Sequence, residues 1–181
     1  MVKLNKIYTR SGDTGTTGLA DATRRPKHDP RIACIGAIDE ANAALGLARQ
    51  TNGDLDDLLA RLQNELFDLG ADLATPITEK NALRITPEAV ARLEADIDRL
   101  NADLPPLESF ILPGGTGGFL HLARATIRRA ERDLAAAIEA EGADAFGNAV
   151  QPYINRVSDL LFVAARVVGG DTHTLWKPGG E

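Results

Sequence analysis

One cysteine, one tryptophan, two tyrosines and five phenylalanines are all that 181 residues carry of these types. A lone Cys34 excludes an intramolecular disulfide framework and fits a reducing compartment. Its flanks, Ile32-Ala33 and Ile35, mark it as a small buried hydrophobe. With aromatics at 4%, the core has to be built from Leu, Ile, Val and Ala, a mix that favours helix over sheet. No apolar run approaches the ~20 residues that span a bilayer. The start, Met1-Val2-Lys3-Leu4-Asn5-Lys6, has no apolar segment of the secretory kind. These absences set the expectation of a cytoplasmic protein. Basic excess is also missing: 20 Lys and Arg stand against 26 Asp and Glu, net −6, with a pI near 5.1. That balance argues against a nucleic-acid partner, which needs a broad basic surface.

The positive charge that is present is concentrated. Four arginines, Arg124, Arg128, Arg129 and Arg132, fall within nine residues, next to His121 and Glu131, and follow the glycine-rich turn Ile111-Leu112-Pro113-Gly114-Gly115. At about 100° per residue, Phe119, Leu120, Ala123, Ile127, Ala130, Leu134 and Ile138 share one face. Arg124, Arg128, Glu131, Arg132 and His121 gather in the adjoining sector. Like charges at i, i+4 repel, so clustering beside the core suits an anion site, where guanidinium groups bind phosphate bidentately. The alternative is a partner-binding or salt-bridged face with Glu131 offsetting charge.

Five helices are predicted. The first opens at about Asp29-Pro30 and carries Ile35, Ile38, Asn42, Leu45 and Ala48 at helical spacing. The second runs from about Asp54 to Leu73 on a stripe of Leu55, Leu58, Leu59, Leu62, Leu66 and Leu69. Thr86-Pro87 opens the third, which continues through Leu104 to Pro105-Pro106. The fourth follows Gly117-Gly118 and reaches about Glu141-Gly142. The fifth runs from near Gln151-Pro152 to about Val168. Short connections and one-sided stripes predict one domain, 1–181: an all-α, five-helix antiparallel bundle. Residues 1–29 are expected to be irregular. Thr9-Arg10-Ser11-Gly12-Asp13-Thr14-Gly15-Thr16-Thr17-Gly18-Leu19 offers the hydroxyls and backbone N–H groups that wrap phosphate oxygens. It is no Walker A loop, since no Gly-Lys-Ser/Thr follows the glycines; the alternative is a mobile arm. Lys27 adds charge, though basic runs such as Arg24-Arg25-Pro26-Lys27 are commonly solvated. Asp39 and Glu40 form either a surface acidic pair or a means of orienting an arginine. Asn155 and Asp159 sit one turn apart, either as a solvated pair or as a hold on a nucleotide or metal-bound water. The tail from Gly169, with Trp176, is expected to be a docked or mobile arm.

Five stretches, Thr9–Gly15, Gly36-Ala37-Ile38-Asp39-Glu40-Ala41-Asn42, Phe110-Ile111-Leu112-Pro113-Gly114-Gly115, Arg128-Arg129-Ala130-Glu131-Arg132 and Asn155-Arg156-Val157-Ser158-Asp159, together resemble the ATP:cob(I)alamin adenosyltransferases of the propanediol-utilisation type. The resemblance covers almost the whole chain in order. It implies a homotrimer with active sites between subunits, moving the 5′-deoxyadenosyl group of ATP onto the cobalt of cob(I)alamin and releasing triphosphate. It implies that ATP, with Mg²⁺ on its phosphates, is held by Thr9, Arg10, Ser11, Gly12, Asp13, Gly15, Thr16, Thr17, Lys27, Arg128, Glu131 and Asn155. It implies that Asp39 pairs with Arg124 across the interface. It also implies that Phe110 sits under the corrin and excludes the lower axial ligand, with Phe162 lining the same cavity. The catalytic set so implied is Arg128, Phe110, Asp39 and Arg124; the residues of a metal site are left open. A reductase and an adenosylcobalamin-dependent acceptor enzyme are the implied partners. The segment Thr116-Gly117-Gly118-Phe119 is shorter than the family's. A helical protein that binds nucleotide or polyphosphate without catalysis is the competing expectation.

Overall fold

The computed structural model describes residues 8–180; the start of the predicted irregular stretch, residues 1–7, lies outside the described residues. Its elements are β1 (Thr16–Gly18), β2 (Arg24–Pro26), α1 (Pro30–Arg49), α2 (Asp56–Ala74), α3 (Pro87–Asn101), α4 (Gly118–Glu141) and α5 (Val150–Gly169). Local chemistry sets the ends. Asp29 accepts a hydrogen bond from the Arg31 N–H at 2.9 Å while Pro30 takes the first helical turn, because proline lacks only a donor that would be orphaned there. Pro87 plays the same part in α3, although the Thr86 side chain makes no capping bond. A turn of 3₁₀ helix, Gly53–Leu55, precedes α2, so that helix starts later than predicted. α3 stops at Asn101, leaving Leu104 outside it.

The apolar stripes meet in one core. Leu59, Leu62, Leu66 and Leu69 of α2, Leu120, Ile127 and Leu134 of α4, and Ile154, Val157 and Leu161 of α5 are fully buried. Cys34 is buried too, and desolvation pushes its thiol up to about 12, so it behaves as a small core hydrophobe. Phe119, placed by periodicity on the buried face, is 41% exposed, and His121 is buried instead.

Contacts between helix ends give the directions. Arg31 at the start of α1 meets Glu141 at the end of α4, and Arg49 at the end of α1 meets Asp56 at the start of α2. Gly117, before α4, packs on Ala165 near the end of α5. These neighbours are antiparallel, as predicted. α3 and α5 are not: Arg156 pairs with Glu94, and Arg166, ten residues on, bonds Asn101, so these two run side by side in one direction. The connection from 102 to 117 stays at the end of the bundle where these two finish, since Asn101 meets Arg166 and Gly117 packs on Ala165, and α4 then runs back antiparallel to both. Between α1 and α2, Asn42 donates to the Gln63 carbonyl and Gln63 to the Asn42 carbonyl, both at 3.0 Å, which gives both amide nitrogens a partner at the helix contact.

From residue 8 the chain is irregular up to Thr16, then forms a small antiparallel hairpin with Thr17 opposite Arg25. The basic run beside it is not simply solvated. Arg25 makes two bonds to Glu141, at 2.8 and 2.9 Å, and Arg24 bonds the Thr16 hydroxyl at 2.7 Å. The arm is docked against the bundle.

Candidate active site

Three regions carry the predicted site residues. The first is the arm. Gly15, at φ 82°, turns the chain so that its carbonyl accepts the Lys27 N–H at 2.9 Å, a conformation glycine adopts without strain. Thr9 and Ser11 share a hydroxyl bond of 2.8 Å, and Arg24 braces Thr16. The Lys27 side chain folds across Gly12, where an added Cβ would stand 3.2 Å from Nζ. Arg10 and Asp13 are exposed beside them. Thr17 and Lys27 then line a cavity of about 580 Å³ with Gly36, Glu40, Arg129 and Asp133. Arg129 pairs with Glu40 there, which gives it a structural place in the α1–α4 contact.

The second region is the other side of α4, facing α5. Asn155 donates to Glu131 Oε1 at 2.7 Å and accepts from Arg156 at 3.0 Å. Arg128 stands 3.8 Å from the second Glu131 oxygen and is about half exposed. Asp159 lies 3.6 Å from Arg156. Arg132 bonds the Arg128 carbonyl of its own helix. Arg124 differs from all of these: its Nε is buried without a hydrogen-bond partner. Burial, and then the neighbouring Arg128 charge, lower its pKa. Asp39 is exposed and pairs with no arginine among the described residues. Within one chain the acid that reaches α4 is Glu40, and the arginine it meets is Arg129. The arm and the Arg128–Glu131–Asn155 group are likewise not joined by any hydrogen bond or ion pair among the described residues.

The third region is an apolar cavity of about 800 Å³, lined by Phe110, Phe162, Leu107, Trp176, Lys177 and Pro178. Phe110 is 74% exposed, a cost in contact with water that a core phenylalanine avoids. It is held in that posture by its backbone. Ile111 bridges to Leu175, the Trp176 N–H donates to the Phe110 carbonyl at 2.7 Å, and the Leu112 N–H donates to Thr174 at 2.8 Å. The Ser109 hydroxyl adds a bond to the Trp176 carbonyl at 2.7 Å. The tail is therefore docked, and its tryptophan, 6.3 Å from the Phe110 ring, is a lining residue that sequence periodicity could not assign. Two glycine pairs around a lone Trp were its only signal. The short segment after Pro113 folds as a 3₁₀ turn, Gly115–Gly117, directly into α4. Among the described residues no three His, Cys, Asp or Glu side chains cluster as a metal cage, and no helix is long and apolar enough to cross a membrane.

A five-helix bundle with an open aromatic cavity at one end and an arginine of unspent donors along one helix defines the class: a small helical bundle built around an exposed aromatic wall. The chain belongs to the cobalamin adenosyltransferase family, whose model matches residues 7–168. It is 47% identical to the corrinoid adenosyltransferase of Mycobacterium tuberculosis over 190 aligned positions, covering 99% of this chain and 97% of that protein. Against the corrinoid adenosyltransferase of Bacillus subtilis the identity is 44%, over 90% of this chain and 86% of the other. Its fold is similar to that of a variant PduO-type ATP:corrinoid adenosyltransferase from Lactobacillus reuteri, solved with cobalamin and ATP. There the TM-score is 0.86 at 33% identity, with 95% and 99% of the two chains covered. The enzyme reading of the sequence holds.

Proposed function

We propose that this chain transfers the 5′-deoxyadenosyl group of ATP to the cobalt of cob(I)alamin, giving adenosylcobalamin and triphosphate. The observation that carries the reading is Phe110: an aromatic ring 74% exposed, held out by a backbone ladder into a cavity it shares with Phe162 and Trp176. The residues match the chemistry. Cob(I)alamin is the nucleophile; a Co–C5′ bond forms as the C5′–O bond breaks, and the electron pair leaves with triphosphate. No protein nucleophile is needed, because the corrinoid carries the hard step. The chain has to align the reactants and stabilise a growing polyanion. Arg128, Lys27 and the N–H groups of the Thr9–Thr17 arm are suited to that anion, with Glu131 holding Asn155 toward the nucleotide. These donors fit phosphate oxygens, and a Mg²⁺ would be held chiefly by the phosphates themselves, as that ion prefers. Phe110 keeps a lower axial ligand from the cobalt, which makes the Co(II) state easier to reduce.

The arm and the Arg128 group complete one another between copies of the chain, in a homotrimer whose contacts pair Asp39 with Arg124. What supports this is that Asp39 and Arg124 have no ion-pair partner among the described residues, with the Arg124 Nε buried and unmatched. A reductase supplying Co(I) and an acceptor using adenosylcobalamin follow as partners.

The test is anaerobic incubation with ATP and chemically reduced cobalamin, following the cob(I)alamin absorbance. Loss of that band with stoichiometric triphosphate is the expected result. Release of ADP or inorganic phosphate would indicate phosphotransfer, and binding without turnover would indicate a regulatory nucleotide binder. Phe110→Ala should bind ATP nearly as the wild type does and lose adenosylation by roughly 10²-fold, about 2.7 kcal/mol of barrier; unchanged turnover would remove Phe110 from the mechanism.

A further inference from the structure

Asn155 is held from two sides. Its amide nitrogen donates to Glu131 Oε1 on α4 at 2.7 Å, and its amide oxygen accepts from the Arg156 guanidinium at 3.0 Å. Arg156 is itself fixed. Its Nε donates to Glu94 Oε1 of α3 at 2.9 Å, and the nitrogen that meets Asn155 lies 3.6 Å from Asp159, about one turn further along α5. The partners thus cross three helices, from Glu94 through Arg156 and Asn155 to Glu131. They end at Arg128, 3.8 Å from the second Glu131 oxygen.

Folding stability does not account for this arrangement. The side chains of Arg156 and Glu94 are 36% and 49% exposed, and an ion pair so open to water contributes little to stability. What the pair does fix is an orientation. A primary amide can be turned over with almost no change of shape, exchanging a donor for an acceptor. Here the turned amide would set its oxygen against the Glu131 carboxylate and its N–H groups against the Arg156 guanidinium. Two bonds to charged groups would become two repulsive contacts, so Glu131 and Arg156 admit one orientation only. In it the nitrogen stands on the Glu131 side, the side of Arg128, with one of its two N–H groups unspent. Asn155 is half-buried, not sealed. A phosphate oxygen near Arg128 would be met by that N–H, where the turned amide would offer it a lone pair. The geometry points to Arg156 as a positioning residue: anchored by Glu94, it keys the Asn155 amide so that its donor end faces the nucleotide. This rests on the reading above that Asn155 and Arg128 hold ATP, and adds what orients Asn155 for that task.

Arg156→Met removes the fork that holds the amide and leaves Asn155 in place. Affinity for ATP, read by calorimetry, should fall roughly tenfold. KM for ATP should rise with it while kcat stays within about twofold, the pattern of lost uniform binding. Cob(II)alamin affinity at saturating ATP, read by absorbance, should not change. Phe162 lies about two turns further along the same helix, so a residue that merely braced α5 would weaken corrinoid binding as well. The deciding measurement is a double variant. In an Asn155→Ala background, Arg156→Met should alter ATP affinity by less than about twofold, because the group it acts through is gone. A tenfold loss that persists there would make Arg156 an independent source of charge for the phosphates and overturns the positioning role. Glu94→Gln keeps the guanidinium and loosens its anchor. It should lower ATP affinity about threefold when Asn155 is present and not when it is absent, and it carries the test if Arg156→Met does not fold. ATP affinity untouched by either substitution also overturns the inference. If Asn155→Ala alone binds ATP as the wild type does, the nucleotide reading of Asn155 fails and takes the inference with it, a result distinct from a persistent effect of Arg156.

Discussion

Two groups of arginines sit on or against α4, and the bundle treats them in opposite ways. At the C-terminal end, Arg31 is 4% exposed and spends every nitrogen. Nε bonds Glu141 at 2.9 Å, the terminal nitrogens reach the Leu73 and Ala145 carbonyls at 2.9 and 3.1 Å, and the guanidinium lies over the Phe146 ring at 4.1 Å. Arg25 doubles the Glu141 contact. In the N-terminal half, Arg124 has a buried Nε with no partner, and its neighbour along the helix is another cation, Arg128. A protein that buries a guanidinium for stability satisfies it; one that leaves donors unspent beside a like charge holds them for something else. The difference separates a structural arginine from a functional one better than exposure does, since neither Arg31 nor Arg124 is exposed.

The largest effect expected from breaking this comparison is on stability. Arg31→Ala leaves Glu141 and two carbonyls short of a partner and should cost about 3–5 kcal/mol of unfolding free energy, measured by urea denaturation. A loss under about 1 kcal/mol would mean that the network is not holding the arm and helix ends together. Arg128→Ala comes next. Half exposed and 3.8 Å from its one acid, Arg128 contributes little to folding, but kcat/KM for ATP should drop roughly 10²-fold, about 2.7 kcal/mol. Wild-type kinetics in that variant would contradict its phosphate role.

The sequence announced these two groups unequally. Leucine spacing, Asp29-Pro30 and Thr86-Pro87 made all five helices legible, because periodicity and caps are local physics. The arginine cluster of α4 was legible as a cluster, yet periodicity could not say that Arg129 would be taken by Glu40 on α1 while Arg124 went unpaired. That sorting depends on which helix lies alongside. For the same reason Arg24 and Arg25 looked like a solvated basic run, though Arg25 meets Glu141 more than a hundred positions away. Trp176 was hidden for a related reason. Its place at the apolar cavity is fixed by a backbone ladder to Phe110, and ladders between distant short segments leave no periodic trace. The parallel course of α3 and α5 follows from the predicted alternation, since each runs antiparallel to α4; what periodicity could not show is that these two lie side by side.

A smaller effect distinguishes the satisfied group by pH. Burial works to raise the Glu141 pKa, and the bonds from Arg31 and Arg25 outweigh it, so the net shift is downward from 4.5. A carboxylate with a depressed folded pKa contributes stability that is fully present above its unfolded value and is lost as pH falls through the folded one. Unfolding free energy should therefore hold to about pH 5 and decline below it. Glu141→Gln should start lower and decline less over the same range. Parallel acid limbs in the two proteins would assign the loss to other carboxylates.

The smallest expected effect is the sharpest contrast. Arg124→Met removes a charge that has no acidic partner among the described residues, keeps an apolar stem of similar length, and relieves repulsion from Arg128. The folding stability of the isolated chain should stay within about 0.5 kcal/mol of wild type, against the several lost at Arg31. If copies of the chain assemble through Asp39 and Arg124, the same substitution should shift the mass measured by light scattering toward the monomer, and Asp39→Ala should match it. An Arg124→Met protein that melts as low as Arg31→Ala would show that Arg124 does find a partner inside the fold, and the division between spent and unspent arginines on α4 would have to be redrawn.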